Sequence, residues 1–423
     1  MPLRKRFGAS NKRKMLKEAR LSQYYLKRIK DIIPRKDPKL LASKKMSGII
    51  PVCEPCLSDK ELKYAKECIK ANWISSAGKK YIREFEDRFA KLCGVKYATS
   101  CTSGTAALHL ALASLGIKKG DEVIIPTFAM IAVASAVVYL EAKPILVDIE
   151  PLTYNIDPTK IEEKITKRTK AIIIVHTYGH PAQMDEIKRI AKRYKLYLIE
   201  DAAEAHGAKY KGRRIGGIGD VGCFSFYANK IITTGEGGML TTNNARIVKM
   251  AQILKNHAFS KERHFWHKYL GYNYRLTGLA ASIGLAQLEN FDKLLKARIR
   301  NAKYYSSLLK NVKGITLPIE KKEVKNVFWM YSILIEDDFG LTRDDLRYCL
   351  AKKGIETRTF FIPIHLQPIY FKLYRRERFP VSEELSRKGM YLPSSSNLKK
   401  KEIDYIVGAI KDCQKKRQHK IKI

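Results

Sequence analysis

The sequence predicts an α/β protein: a large domain built on a mostly parallel sheet, then a smaller α+β domain. Three observations point that way. Short apolar runs recur from Asp121 onward: "DEVIIP", "KPILVDIE", "KAIIIVHTYGH", "LYLIEDAA", "GCFSFYA" and "GGMLTTN". Helical stretches separate several of them, as crossovers between parallel strands require, and near-continuous apolar content suits strands buried on both faces. After a long helical pattern around Gln287–Tyr305, "VFWMYSILIE" and "DLRYCLAKKGIETRTFF" read as a second, smaller unit.

Taken from the N-terminus, residues 1–48 form a basic extension. They hold 16 Lys and Arg against 3 Asp and Glu, a net +13 of the +39 carried by all 423 residues. Pro34, Pro38 and a helical piece near Lys14–Lys30 are its features. The extension is expected to stand apart from the core, and its charge suits contact with a polyanion. No apolar core with a cleavage site marks a secretory leader, and the longest apolar-rich run, "MIAVASAVVYLEA", is too short to span a bilayer. No membrane insertion is expected. After Pro51, "DKELKYAKECIKAN" and "YIREFEDRFAKLCG" carry helical spacing and open the large domain, residues 49–295, and the small domain is expected over 296–423.

A composition of 45% hydrophobic and 29% charged residues is that of a globular chain, not a disordered one. Eight cysteines lie scattered at 53, 56, 68, 93, 101, 223, 349 and 413. That scatter is no disulfide framework, and a reducing cytoplasm is expected. Cys53 and Cys56 form a C-x-x-C without a second pair or nearby histidines, so no metal is expected there.

Three features carry chemistry. Lys230 stands in "CFSFYANKIITTGEGGML", flanked by an aromatic run and a glycine-rich turn, with no other charge before Glu236 of that turn. Partial desolvation there lowers an amine's pKa and frees it as a nucleophile. Asp201 ends the strand "LYLIE", where open α/β sheets place their ligands. "TSCTSGTAALHLAL" begins with hydroxyls and a glycine and becomes a helix, whose first N–H groups favour a phosphate. Each alone reads equally well as structure: a surface amine, a cap, a plain helix start. Together they match the needs of pyridoxal phosphate, whose aldehyde, ring nitrogen and phosphate ask for an amine, a carboxylate and an anion cradle.

From Gly48 to Asp412 the chain resembles the DegT/DnrJ/EryC1/StrS sugar aminotransferase family. The run Ser225–Gly238 carries S-F-x-x-x-K-x-x-x-x-G-E-G-G, joined by "EDAAEAHGA", "GYNYRLTGLAASIGLAQLE" and "FPVSEELSRKGMYLP". The resemblance implies the type I pyridoxal-phosphate aminotransferase fold and a homodimer with shared active sites. It also implies transfer of an amino group, from glutamate, to a keto sugar nucleotide. "PTFAMIA", "HTYGHP", "ERHFWHKYLGYNYR" and "IETRTFFIPIHLQP" are similar to the perosamine-type branch, which aminates a GDP-linked 4-keto-6-deoxy sugar for surface polysaccharide.

By that resemblance, Lys230 is the Schiff-base lysine and Asp201 the partner of the pyridine nitrogen. Glu204 falls near the cofactor's ring oxygen, and Ser103, Gly104, Thr105 and Ser225 hold its phosphate. Asn273 reaches that phosphate from a neighbouring subunit, and Met130 stands where many members stack an aromatic on the ring. Arg358 and His365 are expected at the sugar-nucleotide entrance, and His206 in a structural role. Three alternatives stay open: a dehydratase of the same fold, which carries histidine at the lysine position; an enzyme aminating a different UDP- or dTDP-linked sugar or a cyclitol; and a regulatory, nucleic-acid-binding protein using the basic extension.

Overall fold

Every one of the six apolar runs forms a strand of one seven-stranded sheet in the computed structural model, which describes residues 23–30, 32–40, 48–260, 262–263 and 265–421. In chain order the first nine strands are β1 (Tyr97–Cys101), β2 (Glu122–Pro126), β3 (Lys143–Val147), β4 (Thr169–Val175), β5 (Tyr197–Asp201), β6 (Lys209–Tyr210), β7 (Arg213–Arg214), β8 (Val221–Ser225) and β9 (Gly238–Thr242). The large sheet runs β1-β9-β8-β5-β4-β2-β3, and only β9 opposes the common direction. Alternate residues feed two cores. Ile172 and Ile174 of β4 face one, while Ala171, Ile173 and Val175 face the other. That explains the unbroken apolar runs, since each fully buried isoleucine contributes about 1.5–3 kcal/mol on either face.

β1 escaped the apolar pattern because it is half polar. Thr99 and Ser100 are fully buried, yet a lysine and a glutamate satisfy them. Lys255 Nζ donates to Thr99 Oγ1 (2.7 Å) and to the Ser100 carbonyl (2.8 Å), and the Ser100 amide and hydroxyl donate to Glu86 Oε1 (2.6 and 2.7 Å). Buried polar groups cost little once paired.

The described part of α1 covers residues 23–29, and the rest of the helical piece expected near Lys14–Lys30 lies largely outside the described residues. On one core face lie α2 (Asp59–Lys70) and α3 (Lys79–Cys93); α4 (Gly104–Ser114) and α5 (Ala132–Val138) take the other. α6 (Met184–Arg193) and α7 (Ala245–Leu254) follow. The long helical pattern divides at Asn290 (φ −96°, ψ 2°) into α8 (Gly278–Glu289) and α9 (Phe291–Leu309). Beyond it, β10 (Ile315–Thr316), β12 (Tyr331–Ile335), β13 (Arg358–Thr359) and β14 (Gly389–Leu392) form an antiparallel sheet ordered β10-β12-β14-β13, while β11 (Val324–Lys325) pairs with β6. Helices α10 (Arg343–Ala351), α11 (Pro368–Tyr374), α12 (Pro380–Lys388) and α13 (Lys400–Ile421) complete this part of the chain.

Two expectations change. The basic extension, where described, does not stand apart. Ile29 and Ile32 bury against Leu366 and Phe371, the Tyr25 ring lies 4.3 Å from that of Phe371, and Arg28 pairs with Glu383 at 2.6 Å. Asp37 meets Arg347 at 2.6 Å. Removing this stretch would expose those apolar groups and take from the buried Arg347 its nearer carboxylate, leaving Asp344 at 3.7 Å, so the extension is not expected to be dispensable. The second change concerns cysteine. Cys349 of α10 and Cys413 of α13, 64 residues apart, form a disulfide with Cα atoms 6.1 Å apart, while the other six thiols are free. Sequence spacing carried no sign of it, because only the packing of α10 on α13 brings the two together. Among the described residues, no helix is long and apolar enough to cross a membrane, and no group of three or more His, Cys, Asp or Glu could hold a metal ion.

Candidate active site

The carboxyl ends of β1, β5 and β8 and the turn after β8 meet at one place. Lys230 follows β8 in a turn closed by its amide donating to the Tyr227 carbonyl (2.9 Å). Its Nζ lies 3.8 Å from the centroid of the Trp329 ring, whose Nε1 donates to the Asn229 carbonyl (2.9 Å). Burial pushes the amine's pKa below that of an ordinary lysine, and the nearby carboxylates of Glu204 and Asp201 oppose the shift without reversing it. The aromatic face stabilises the ammonium form as well, but only partly.

Asp201 is the last residue of β5, almost fully buried. One oxygen accepts the Ala203 amide (3.1 Å), and the described residues supply no hydrogen bond to the other. Burial raises its pKa, against the pull of the Ala203 amide and of Lys230. Glu204 is buried too, its pKa raised by burial, with its carboxylate accepting the Tyr178 amide at 2.7 Å. Beside them, His176 hydrogen-bonds Glu200 (3.2 Å), which also accepts the amides of Gly216, Ile218 and Gly219 at 2.6–2.9 Å. Those bonds anchor the end of β5 from behind.

Ser103 caps α4, its Oγ accepting the Ala106 amide (3.1 Å). Gly104 and Thr105 then open the helix with amides free for an anion. The approach is close: a Cβ on Gly104 would lie 2.7 Å from Ser225 Cβ, and one on Gly238 would lie 2.2 Å from the Ser103 carbonyl oxygen. Register explains this, since Cys101 pairs with Gly238 and Gly238 with Ser225. Three strand ends thus bring Ser103, Gly104, Thr105 and Ser225 together. The residues present fit pyridoxal phosphate: a buried carboxylate with an unpartnered oxygen for the ring nitrogen, a desolvated amine, and a glycine-tight helix start for the phosphate.

Met130 follows β2 by four residues and is half exposed, its sulfur accepting the Ala132 amide (3.2 Å). Asn273 is exposed, its side-chain oxygen held by Arg275 at 2.8 Å within the same chain. His206 is buried among Phe89, Phe224 and Phe226 with both ring nitrogens unpartnered, and burial takes its pKa down to about 3. It is a neutral packing group. Arg358 lies exposed on β13, paired with Glu356 (2.5 Å) and Asp37 (3.4 Å). The expected place of His365 at an entrance is corrected. Its ring is fully buried, with Nδ1 2.7 Å from Thr127 Oγ1 and Nε2 3.1 Å from Glu383, so both nitrogens are engaged inside the protein.

Sequence reasoning passed over Trp329 and Tyr178. Tyr178 sits at φ 52° with its hydroxyl buried and unpartnered, stacked on Trp329 (6.3 Å) and Phe361 (5.6 Å). A left-handed backbone at a buried tyrosine is costly, and such strain collects at functional sites. Only the neighbouring "HTYGH" could have flagged it, and Trp329 had no signal at all.

Residues 55–411 match the DegT/DnrJ/EryC1/StrS aminotransferase family. The chain is 44% identical over 364 residues to a GDP-perosamine synthase of Escherichia coli O157:H7, covering 86% of this chain and 98% of that protein. A GDP-perosamine synthase of Caulobacter vibrioides is 43% identical over 362 residues, covering 85% and 97%. Among solved structures, DesV of S. venezuelae superimposes with a TM-score of 0.79 at 32% identity, covering 84% of this chain and 94% of that one. Fold, cradle and likeness together define a pyridoxal-phosphate-dependent sugar aminotransferase. More particularly, the chain belongs to the DegT/DnrJ/EryC1/StrS family.

Proposed function

We propose that the chain moves an amino group from glutamate to C4 of GDP-4-keto-6-deoxy-mannose, making GDP-perosamine for surface polysaccharide. The observation that carries the substrate is identity above 40% along almost the whole of two GDP-perosamine synthases. Bound pyridoxal phosphate supplies an aldehyde that accepts the amino group and a ring that withdraws electrons from the adjacent carbon. Lys230 Nζ, made less basic by burial, would hold that aldehyde and, once released, would serve as the base and acid that moves the proton. Asp201 would offer its second oxygen to the ring N–H and keep that proton in place. Glu204 would meet the ring oxygen, Met130 would cover the ring, and the amides and hydroxyls of Ser103, Gly104, Thr105 and Ser225 would bind the phosphate. Arg358 faces the sugar nucleotide.

The reading is tested by mixing the protein and glutamate with GDP-, UDP- and dTDP-linked 4-keto-6-deoxy sugars and weighing the products. The GDP sugar should show the highest kcat/KM, by about 10–200-fold if one pocket contact discriminates. A higher value for a UDP or dTDP sugar would displace the perosamine assignment in favour of that nucleotide.

The division at residues 295/296 belongs to the same proposal, supported by the separate core in which β12 and β14 pack against α10 and α13. So does a homodimer with a shared site, supported by an Asn273 side chain that is exposed and so open to a neighbouring subunit. Mixed chains test it: Lys230→Ala and Asn273→Ala, each inactive alone, should regain up to about a quarter of wild-type activity after subunit exchange, the random share of sites with both residues intact. No recovery after verified exchange means that Asn273 serves its own chain. We assign the reaction to the cytoplasm, in keeping with six free thiols against one disulfide, and polyanion contact to exposed lysines of the extension such as Lys27 and Lys39.

A further inference from the structure

The matched family region begins at residue 55, yet a side chain from well before it is buried against that region. Arg28, its side chain only 6% exposed, donates to Glu383 Oε1 (2.6 Å) and to the carbonyl of Glu377 (2.8 Å). The same Glu383 oxygen receives His365 Nε2 (3.1 Å), and His365 Nδ1 meets Thr127 Oγ1 (2.7 Å). Thr127 is fully buried one residue beyond β2, its carbonyl accepting the Ile364 amide (2.7 Å). From there the chain runs through Phe128, whose ring lies 6.2 Å from that of Tyr178, to Met130. Tyr178 in turn holds Glu204 by its amide. An unbroken polar line therefore joins the extension to the loop against the cofactor site.

We propose that Arg28 is a positioning residue for the transamination described above, acting through Glu383, His365 and Thr127 on the loop that carries Met130. The inference rests on that functional reading. The chemistry is directional. Arg28 keeps Glu383 a carboxylate, and a carboxylate can only accept. His365 must then carry its proton on Nε2, which leaves Nδ1 to accept from the Thr127 hydroxyl. A β-branched threonine so bonded has one χ1, and the backbone that leaves it toward Met130 is fixed with it. Burial alone would raise the Glu383 pKa; the hydrogen bonds from His365 and Arg28 outweigh it and hold the group at about 2. Burial also keeps His365 neutral by lowering its pKa.

The test uses the full-length, cofactor-loaded enzyme. Arg28→Ala should lower kcat about 10–100-fold, as a displaced site does, with a smaller change in KM and an altered visible absorption of the bound cofactor. Arg28→Lys should restore most of the loss. Thr127→Val should reproduce the kcat loss, and the double variant should lose no more than the worse single one, because both break one line. Arg35→Ala, which removes an exposed ion pair to Asp345 from the same extension, should behave as wild type. Wild-type kcat and absorption in Arg28→Ala, or additive losses in the double variant, would overturn the proposal. If Arg28→Ala does not fold, Glu383→Gln and Thr127→Val carry the test with the other contacts of the extension in place. Should the wild-type protein take no amino group from glutamate, the functional reading fails by itself; the line is then judged by cofactor affinity and absorption in the variants, which need no amino acceptor.

Discussion

Lys230→Ala is expected to abolish turnover, by about 10⁴-fold or more, and to remove the visible absorption of lysine-bound cofactor. Two losses combine in it. The amine is proposed both to hold the cofactor covalently and to carry the proton between carbons, the second role worth about 10²–10⁴-fold by itself. Nothing else can substitute. The other titratable groups that feel its charge are Asp201, Glu204, the Cys53 thiol and the buried His206, and none carries an amine to form the covalent link. The fold should survive, because the substitution removes a desolvated amine and leaves the Trp329 ring with its hydrogen bond to Asn229. Absorbance, turnover and thermal midpoint measured on one preparation decide the matter. Normal turnover in a folded variant would remove Lys230 from the chemistry.

Asp201→Asn is expected to keep the fold and most cofactor binding while cutting the rate about 10²–10⁴-fold. The amide is isosteric and its oxygen can still accept the Ala203 amide. The loss lies at the second oxygen, which the described residues leave unpartnered. An asparagine presents there either an N–H, which repels the ring N–H, or an oxygen too weakly basic to hold its proton. Burial strengthens the effect, since the charge of Asp201 is least screened where water is excluded. A near-normal rate would assign the ring nitrogen to another acid, and Glu204 is the next candidate.

Much of this protein was legible before its tertiary structure. Strands β2, β3, β4, β5, β8 and β9 are all apolar runs that the period-free burial of a two-sided sheet demands. Lys230, Asp201 and the Ser103–Thr105 turn stood out because each departs from the pattern around it. β1 was hidden by Thr99 and Ser100, whose burial depends on Lys255 and Glu86 from distant segments. The division at Asn290 was hidden as well, because one residue leaving helical geometry does not break an amphipathic pattern.

By itself, the sequence determined what depends on local order: the alternation of strands and helices, the cap of α4, and an amine without neighbouring charge. Those follow from backbone propensity and from solvent exclusion along short stretches. The tertiary structure alone decided which groups share a neighbour. It set Trp329 under Lys230, joined Cys349 to Cys413, took His365 into the interior, and laid the basic extension on the core through Arg28 and Asp37. The reason is physical: burial, pairing and pKa are properties of distances between residues far apart in the chain, and no spacing along it encodes those distances.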